Sequence, residues 1–195
     1  MNVNFILFDN FETLDLFGPA EVLGRMPEYS LRFNSLSGGL IKSAQAAEIM
    51  TRPSDEIEEG GIVVIPGGQG TRQLADEAGF IGKLKTVAGK ASWVLTVCTG
   101  SGLLAKTGLL DGMAATGNKI AFEWVKSTGR EVRWQKRARW VADGKYYTSS
   151  GISAGIDMAL GFISDRFGET RAKDLARVME YSWSADKDSD PFAVL

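Results

Sequence analysis

The chain has 195 residues, 44% of them hydrophobic, with a formal net charge of −2, a single cysteine and no histidine. That length supports one buried core, so a single domain over residues 1–195 is expected, and the acidic balance lacks the positive field that nucleic acid or an anionic membrane surface demands. One cysteine rules out an internal disulfide framework, and the absence of imidazole excludes a Ser-His-Asp triad, a Cys-His dyad and histidine-based metal sites within the chain.

Val3 to Phe8 is a short apolar run bounded by Asp9-Asn10 and predicts a buried first strand. It lacks the basic flank and cleavage pattern of a signal peptide, and no apolar run reaches the ~20 residues needed to span a bilayer, so a cytoplasmic location is expected. Pro19 is placed in a first helical turn, with Ala20 to Leu23 continuing the helix to Gly24 and Asp15 in or just before its start. Tyr29 to Ser35 predicts a second strand, followed by weaker strand-like pieces between Leu40 and Thr51. Asp55, Glu56, Glu58 and Glu59 are read as a solvated face, because a hard cation needs oxygen ligands converging from a defined loop.

Ile62 to Ile65 is the next buried strand and runs into Pro66-Gly67-Gly68-Gln69-Gly70-Thr71. This stretch is neither a P-loop nor a dinucleotide fingerprint. It is a tight strand-to-helix turn or a loop whose backbone approaches a ligand. Phe80 to Ala88 has helical spacing, and Trp93 to Val97 predicts the central strand. That strand ends at Cys98-Thr99, which opens onto a helix closing near Gly108. At a helix N-terminus, unpaired N–H groups and the dipole favour a thiolate. Lys119 to Lys126 predicts a short helix, and strands are expected near Val132 to Trp134, Ala138 to Val141 and Lys145 to Thr148, with a hairpin at Asp143-Gly144. Basic and aromatic residues interleave from Arg130 to Trp140; alternation places Val132 and Trp134 on one face with the arginines outward, as in a half-buried strand. Two helices, Ile152 to Phe167 and Thr170 to Tyr181, precede a tail from Asp186 that is either loose or docked on a partner.

Strands alternating with helices predict an α/β fold, a mostly parallel sheet covered on both faces, with ligands bound at the carboxyl ends of its strands. The loops after Phe8, Ile65 and Val97 all leave such ends. Asp15, the amides of Gly67 and Gly68, Cys98 and Thr99 are therefore candidates for one pocket. Each has a second reading: Cys98 as a small buried hydrophobe, Asp15 and Thr99 as helix caps.

The segments Leu14-Asp15-Leu16-Phe17-Gly18-Pro19-Ala20-Glu21-Val22-Leu23, Ile65-Pro66-Gly67-Gly68, Val97-Cys98-Thr99-Gly100 with Leu103-Leu104-Ala105, Gly108 to Gly112 and Thr148 to Asp157 together resemble the DJ-1/PfpI superfamily, in particular its isonitrile hydratase-like branch. The resemblance implies a flavodoxin-like sheet with helices on both faces, Cys98 as nucleophile, Asp15 as its acidic partner, Thr99 as an adjacent hydroxyl, and Gly67 and Gly68 as oxyanion-type donors. It implies addition of water to an isonitrile to give an N-substituted formamide through a thioimidate on Cys98, with Asp15 as proton donor, no cofactor or metal, and a homodimer. The alternative it implies is a redox sensor or stress-protective protein, and a ligand-binding regulator is a third reading, although no helix-turn-helix segment is left over. Where many relatives carry a histidine after an Ala-Thr pair, Ala115-Thr116 is followed here by Gly117-Asn118, which removes the imidazole that protease or amidotransferase chemistry ordinarily uses.

Overall fold

A computed structural model describes residues 1–193. The main sheet contains β1 (Asn2–Leu7), β2 (Ser30–Ser35), β3 (Gly39–Lys42), β4 (Glu48–Pro53), β5 (Ile62–Ile65), β6 (Trp93–Thr96), β9 (Trp140–Asp143) and β10 (Tyr146–Ser149), while β7 (Ala114–Ala115) and β8 (Arg133–Trp134) pair with each other. The helices are α1 (Thr13–Gly24), α2 (Thr71–Leu74), α3 (Ala78–Lys90), α4 (Gly100–Lys106), α5 (Phe122–Ser127), α6 (Ala154–Phe167) and α7 (Glu169–Val178).

The sheet order is β3-β4-β2-β1-β5-β6-β10-β9, parallel from β4 through β10 and antiparallel at its two outer pairs. Its middle, β2-β1-β5-β6-β10, is the flavodoxin-like order, which reverses direction between β1 and β5 and leaves a crevice there at the carboxyl ends. Phe5 is in register with Phe33 on one side and Val64 on the other. The apolar runs of β1, β5 and β6 are buried because helices cover both faces: α1 packs on α6 and α6 on α7, while α4 contacts α2, α3 and α5. No helix among the described residues is long and apolar enough to cross a membrane.

Four features differ from expectation. α1 starts six residues before Pro19, which lies inside it, so Asp15 occupies the first turn. The turn after β5 continues directly into α2, which periodicity cannot reveal in four residues. The tail folds against its own chain: the carbonyl of Lys187 accepts the N–H groups of Arg139 (2.7 Å) and Trp140 (3.3 Å), covering the backbone beside β9. Finally, Arg139 points inward, with its side chain 6% exposed.

Arg139 is drawn in by Asp157 of α6, which is fully buried. Asp157 Oδ2 accepts from Arg139 Nε at 2.8 Å, with Nη2 at 2.7 Å, while Oδ1 accepts from the Tyr181 hydroxyl (3.1 Å) and the Ser184 N–H (3.0 Å). One carboxylate thus ties β9, α6 and the segment after α7. Removing one partner of a buried ion pair strands the other's charge, so Asp157→Ala is expected to cost about 3–5 kcal/mol in denaturant unfolding. The double variant with Arg139→Met is expected to fall short of the sum of the single losses by at least about 1 kcal/mol, and strict additivity would contradict the pairing.

Candidate active site

The crevice between β1 and β5 is closed by main-chain bonds. Glu12 N–H donates to the Gly67 carbonyl (2.8 Å), Phe11 bridges Gly68, and Val97 N–H donates to the Ile65 carbonyl (3.0 Å). The three loops singled out from sequence therefore meet. Asp15, fully buried, accepts the Gly67 N–H on Oδ2 at 2.9 Å, whereas its Oδ1 is buried with no hydrogen-bond partner among the described residues. Any Cβ at position 67 would lie 2.6 Å from both the Thr99 nitrogen and Oγ1, and 2.9 Å from Asp15 Oδ2. Glycine is required there by room, because a side chain would push the acid away from the thiol-bearing turn.

Cys98 sits between β6 and α4 with φ of 59°, a left-handed conformation that costs a non-glycine residue about 1–2 kcal/mol and persists only when its surroundings enforce it. Both its backbone polar groups are pinned. Its N–H is shared between the carbonyls of Ser149 and Ser150, each at 3.2 Å, and its carbonyl accepts from Asn118 N–H (3.2 Å) and the Ser101 hydroxyl (3.1 Å). Asn118 Nδ2 donates to Sγ at 3.1 Å. The amide's orientation is fixed, because Oδ1 accepts the Ala121 N–H at 2.8 Å and Nδ2 must face the sulfur. Gly151 closes the other side, where a Cβ would lie 2.8 Å from Sγ.

Burial raises the pKa of Asp15, the Glu12 charge adds to it, and the Gly67 N–H and the Cys98 thiol pull back, leaving it at about 8. Burial also pushes the Cys98 thiol well above its ordinary range, as does the Asp15 charge, against hydrogen bonds from Thr99 and Asn118. The expected dipole-stabilised thiolate is therefore corrected: a helix terminus contributes about 0.3–1 kcal/mol, less than the cost of burying an unpaired anion. At neutral pH the pair holds both protons, a neutral acid beside a neutral thiol.

The structure brings Asp15, Gly67, Gly68, Cys98 and Thr99 together, but it changes what three of them hold. The Gly67 amide is committed to Asp15 and the Gly68 amide to Thr99 Oγ1 (3.0 Å), so in this arrangement neither is an open oxyanion donor. The Thr99 hydroxyl accepts from the Gly68 N–H and lies 3.1 Å from the Thr71 hydroxyl, and its single proton has both the Gly68 carbonyl, at 3.3 Å, and the Cys98 sulfur as acceptors. These groups brace the acid and the turn. Sequence reasoning missed Asn118 and Gly151 as neighbours of the sulfur. Asn118 lies in the turn before α5, whose N-cap is Ala121, and it accepts the Ala121 N–H with one end while the other reaches the thiol. The missing histidine also has a steric counterpart, since a Cβ at Gly117 would lie 2.6 Å from Ser101 Oγ and 3.1 Å from the Cys98 carbonyl.

A cavity of about 400 Å³ opens over Asn118 and Gly151 and is walled by Leu14, Ile120 and Ile152, with Glu12 and Lys119 at its polar edge. Its size suits a small organic molecule. Cys98, 6% exposed, is reached from it through Asn118 and Gly151, the two lining residues that touch its sulfur. Among the described residues no three His, Cys, Asp or Glu side chains converge as metal ligands.

A flavodoxin-like sheet carrying a strained cysteine beside a buried acid defines a class of thiol-centred α/β proteins. The chain belongs to the DJ-1/PfpI family, which matches residues 1–165. It is 28% identical over 192 residues to an isonitrile hydratase from Pseudomonas putida, covering 97% of this chain and 82% of that protein. It is 25% identical to the HTH-type transcriptional regulator GbdR of Pseudomonas aeruginosa, spanning 92% of this chain but only half of the regulator. Among solved structures, a THiJ/PfpI family protein from Pseudomonas syringae superposes with a TM-score of 0.84 at 24% identity, covering 97% of this chain and 76% of that one. Drosophila melanogaster DJ-1beta superposes with a TM-score of 0.77 at 19% identity, over 93% and 98% of the two chains.

Proposed function

We propose that the protein hydrates isonitriles to N-substituted formamides. The observation that carries this reading is the buried Asp15 carboxyl, bonded through one oxygen to the Gly67 N–H and with the other unpartnered among the described residues, set beside a thiol that has no histidine to serve it. An isonitrile's terminal carbon accepts both a proton and a nucleophile, so a neutral acid next to a neutral thiol matches its chemistry. Asp15 transfers its proton to that carbon as Cys98 Sγ bonds to the same carbon, and the thiol proton passes to Asp15. The product is a thioimidate, Cys98–S–CH=N–R, with the acid restored. Water then adds to the thioimidate carbon, the nitrogen gains a proton, and cleavage of the C–S bond releases the formamide and the thiol. Asn118 Nδ2 stabilises charge that develops on the sulfur, and Gly67 holds Asp15 in place. The similarity to the Pseudomonas putida isonitrile hydratase supports the same reaction.

A redox-sensing role is less well supported, because sensor thiols are accessible and of low pKa, whereas Cys98 is buried and its pKa is raised. The test is to incubate the protein with cyclohexyl isonitrile, follow N-cyclohexylformamide by chromatography, and weigh the acid-quenched protein. Formamide should accumulate, and the Cys98 peptide should carry the added mass of the isonitrile. If neither product nor adduct forms, the reading fails.

A further inference from the structure

The cavity above Cys98 has one wall that the catalytic loops do not supply. Phe192, from the tail, lines it together with Leu14, Ile120 and Ile152. The tail lies outside the segment 1–165 matched by the family. A chain end is ordinarily loose unless something ties it down, and here the tie is specific. Asp190 N–H donates to the Arg137 carbonyl at 2.8 Å, and its side chain, fully buried, places Oδ2 3.6 Å from Arg139 Nη1. Its Oδ1 accepts the Phe192 N–H at 2.8 Å, and the Ala193 N–H returns to the Asp190 carbonyl at 3.0 Å. One carboxylate therefore faces the Arg139 charge with one oxygen, at ion-pair distance without a hydrogen bond, and sets the backbone of Phe192 with the other.

The buried cations beside it would otherwise be in excess. Arg139 is already paired with Asp157, and Lys119, which also lines the cavity, donates to Thr116 Oγ1 (2.7 Å) and the Ala138 carbonyl (2.6 Å) and forms no ion pair with a carboxylate among the described residues. Burial lowers Lys119 to about 8, against the pull of the Asp190 charge. Asp190 supplies the missing negative charge, so the position of the tail follows from the charge requirement of the core beneath it. Phe192 stays half exposed, with one face free for a ligand.

We infer that the tail bounds the cavity over Cys98 through Phe192, that Asp190 is the positioning residue, and that Phe192 is the specificity-determining side chain, selecting apolar N-substituents. The substrate class rests on the isonitrile reading, but the wall itself does not, and the two can be tested apart. With a single cysteine in the chain, iodoacetamide labels only Cys98, and an unreactive amide that fills the cavity must slow that labelling. N-Cyclohexylformamide should protect Cys98 better than N-methylformamide. The ratio of the two protection constants should fall about tenfold in Phe192→Ala, return most of the way in Phe192→Leu, and take an intermediate value in Asp190→Asn, which keeps the Oδ1 acceptor and loses the charge. The inference is overturned if the ratio is unchanged in Phe192→Ala, if Phe192→Leu is no better than Phe192→Ala, or if neither formamide protects the parent protein. Size-dependent protection without turnover of cyclohexyl isonitrile would sink the proposed reaction and leave the wall standing. Turnover with a ratio indifferent to Phe192 would do the reverse.

Discussion

Cys98→Ala is expected to reduce formamide production from cyclohexyl isonitrile by at least about 10⁴-fold, since nucleophile deletions in covalent catalysts leave only binding and polarisation behind. Cys98→Ser should be nearly as inactive. Asp15 holds its proton at neutral pH and is a poor base for an alcohol, whereas a thiol surrenders its proton far more readily. The fold should tolerate the change, because the left-handed backbone at position 98 is held by Ser149, Ser150, Asn118 and Ser101 through main-chain atoms that alanine retains. A second readout is independent of turnover. The neighbouring thiol holds the Asp15 pKa down, so removing it should move the Asp15 titration upward, visible as a shift in the pH dependence of stability. Parental turnover in Cys98→Ala would end the covalent mechanism.

The sheet was legible because its central strands are short apolar runs, each followed by a turn that glycine, proline or aspartate marks. β1, β5, β6 and α6 lie within a few residues of their expected bounds. The meeting of three loops was legible for the same reason: a parallel sheet puts all its crossover starts on one edge. Side-chain partnerships were less accessible. Strand alternation alone put Arg139 outward, and only the long-range placement of Asp157 on α6 explains its burial. Thr99 and Gly68 lie far apart in sequence, so their mutual hydrogen bond, which consumes two expected ligand-facing groups, follows from topology and leaves no local pattern. The tail was ambiguous because Asp190 looks like any polar residue near a chain end until Lys119 and Arg139 are seen buried beneath it.

The strongest test of the acid is that Asp15→Asn should lose activity and gain stability together. Deleting a positioned general acid costs about 10²–10⁴ in rate, so kcat should fall by about 10³, with KM changed far less. Stability responds in the opposite sense because the folded-state pKa is raised. In the unfolded chain Asp15 titrates near its ordinary value of 3.8, and in the folded protein near 8. Between those values the folded state binds a proton that the unfolded state has released, so this group's contribution to stability is lost as pH rises, at about 1.4 kcal/mol per unit. Asparagine carries no such proton. The variant should match the parent near pH 4 and exceed it by something on the order of 5 kcal/mol at pH 8, read from urea unfolding at each pH. Parental activity should also decline above pH 8 as the acid ionises. A stability difference that stays flat from pH 4 to pH 8 would mean that Asp15 ionises normally in the folded protein, and its role as proton donor would fall. A buried carboxyl that costs the fold several kcal/mol at working pH is explained most directly by the proton it keeps there for the carbon above Cys98.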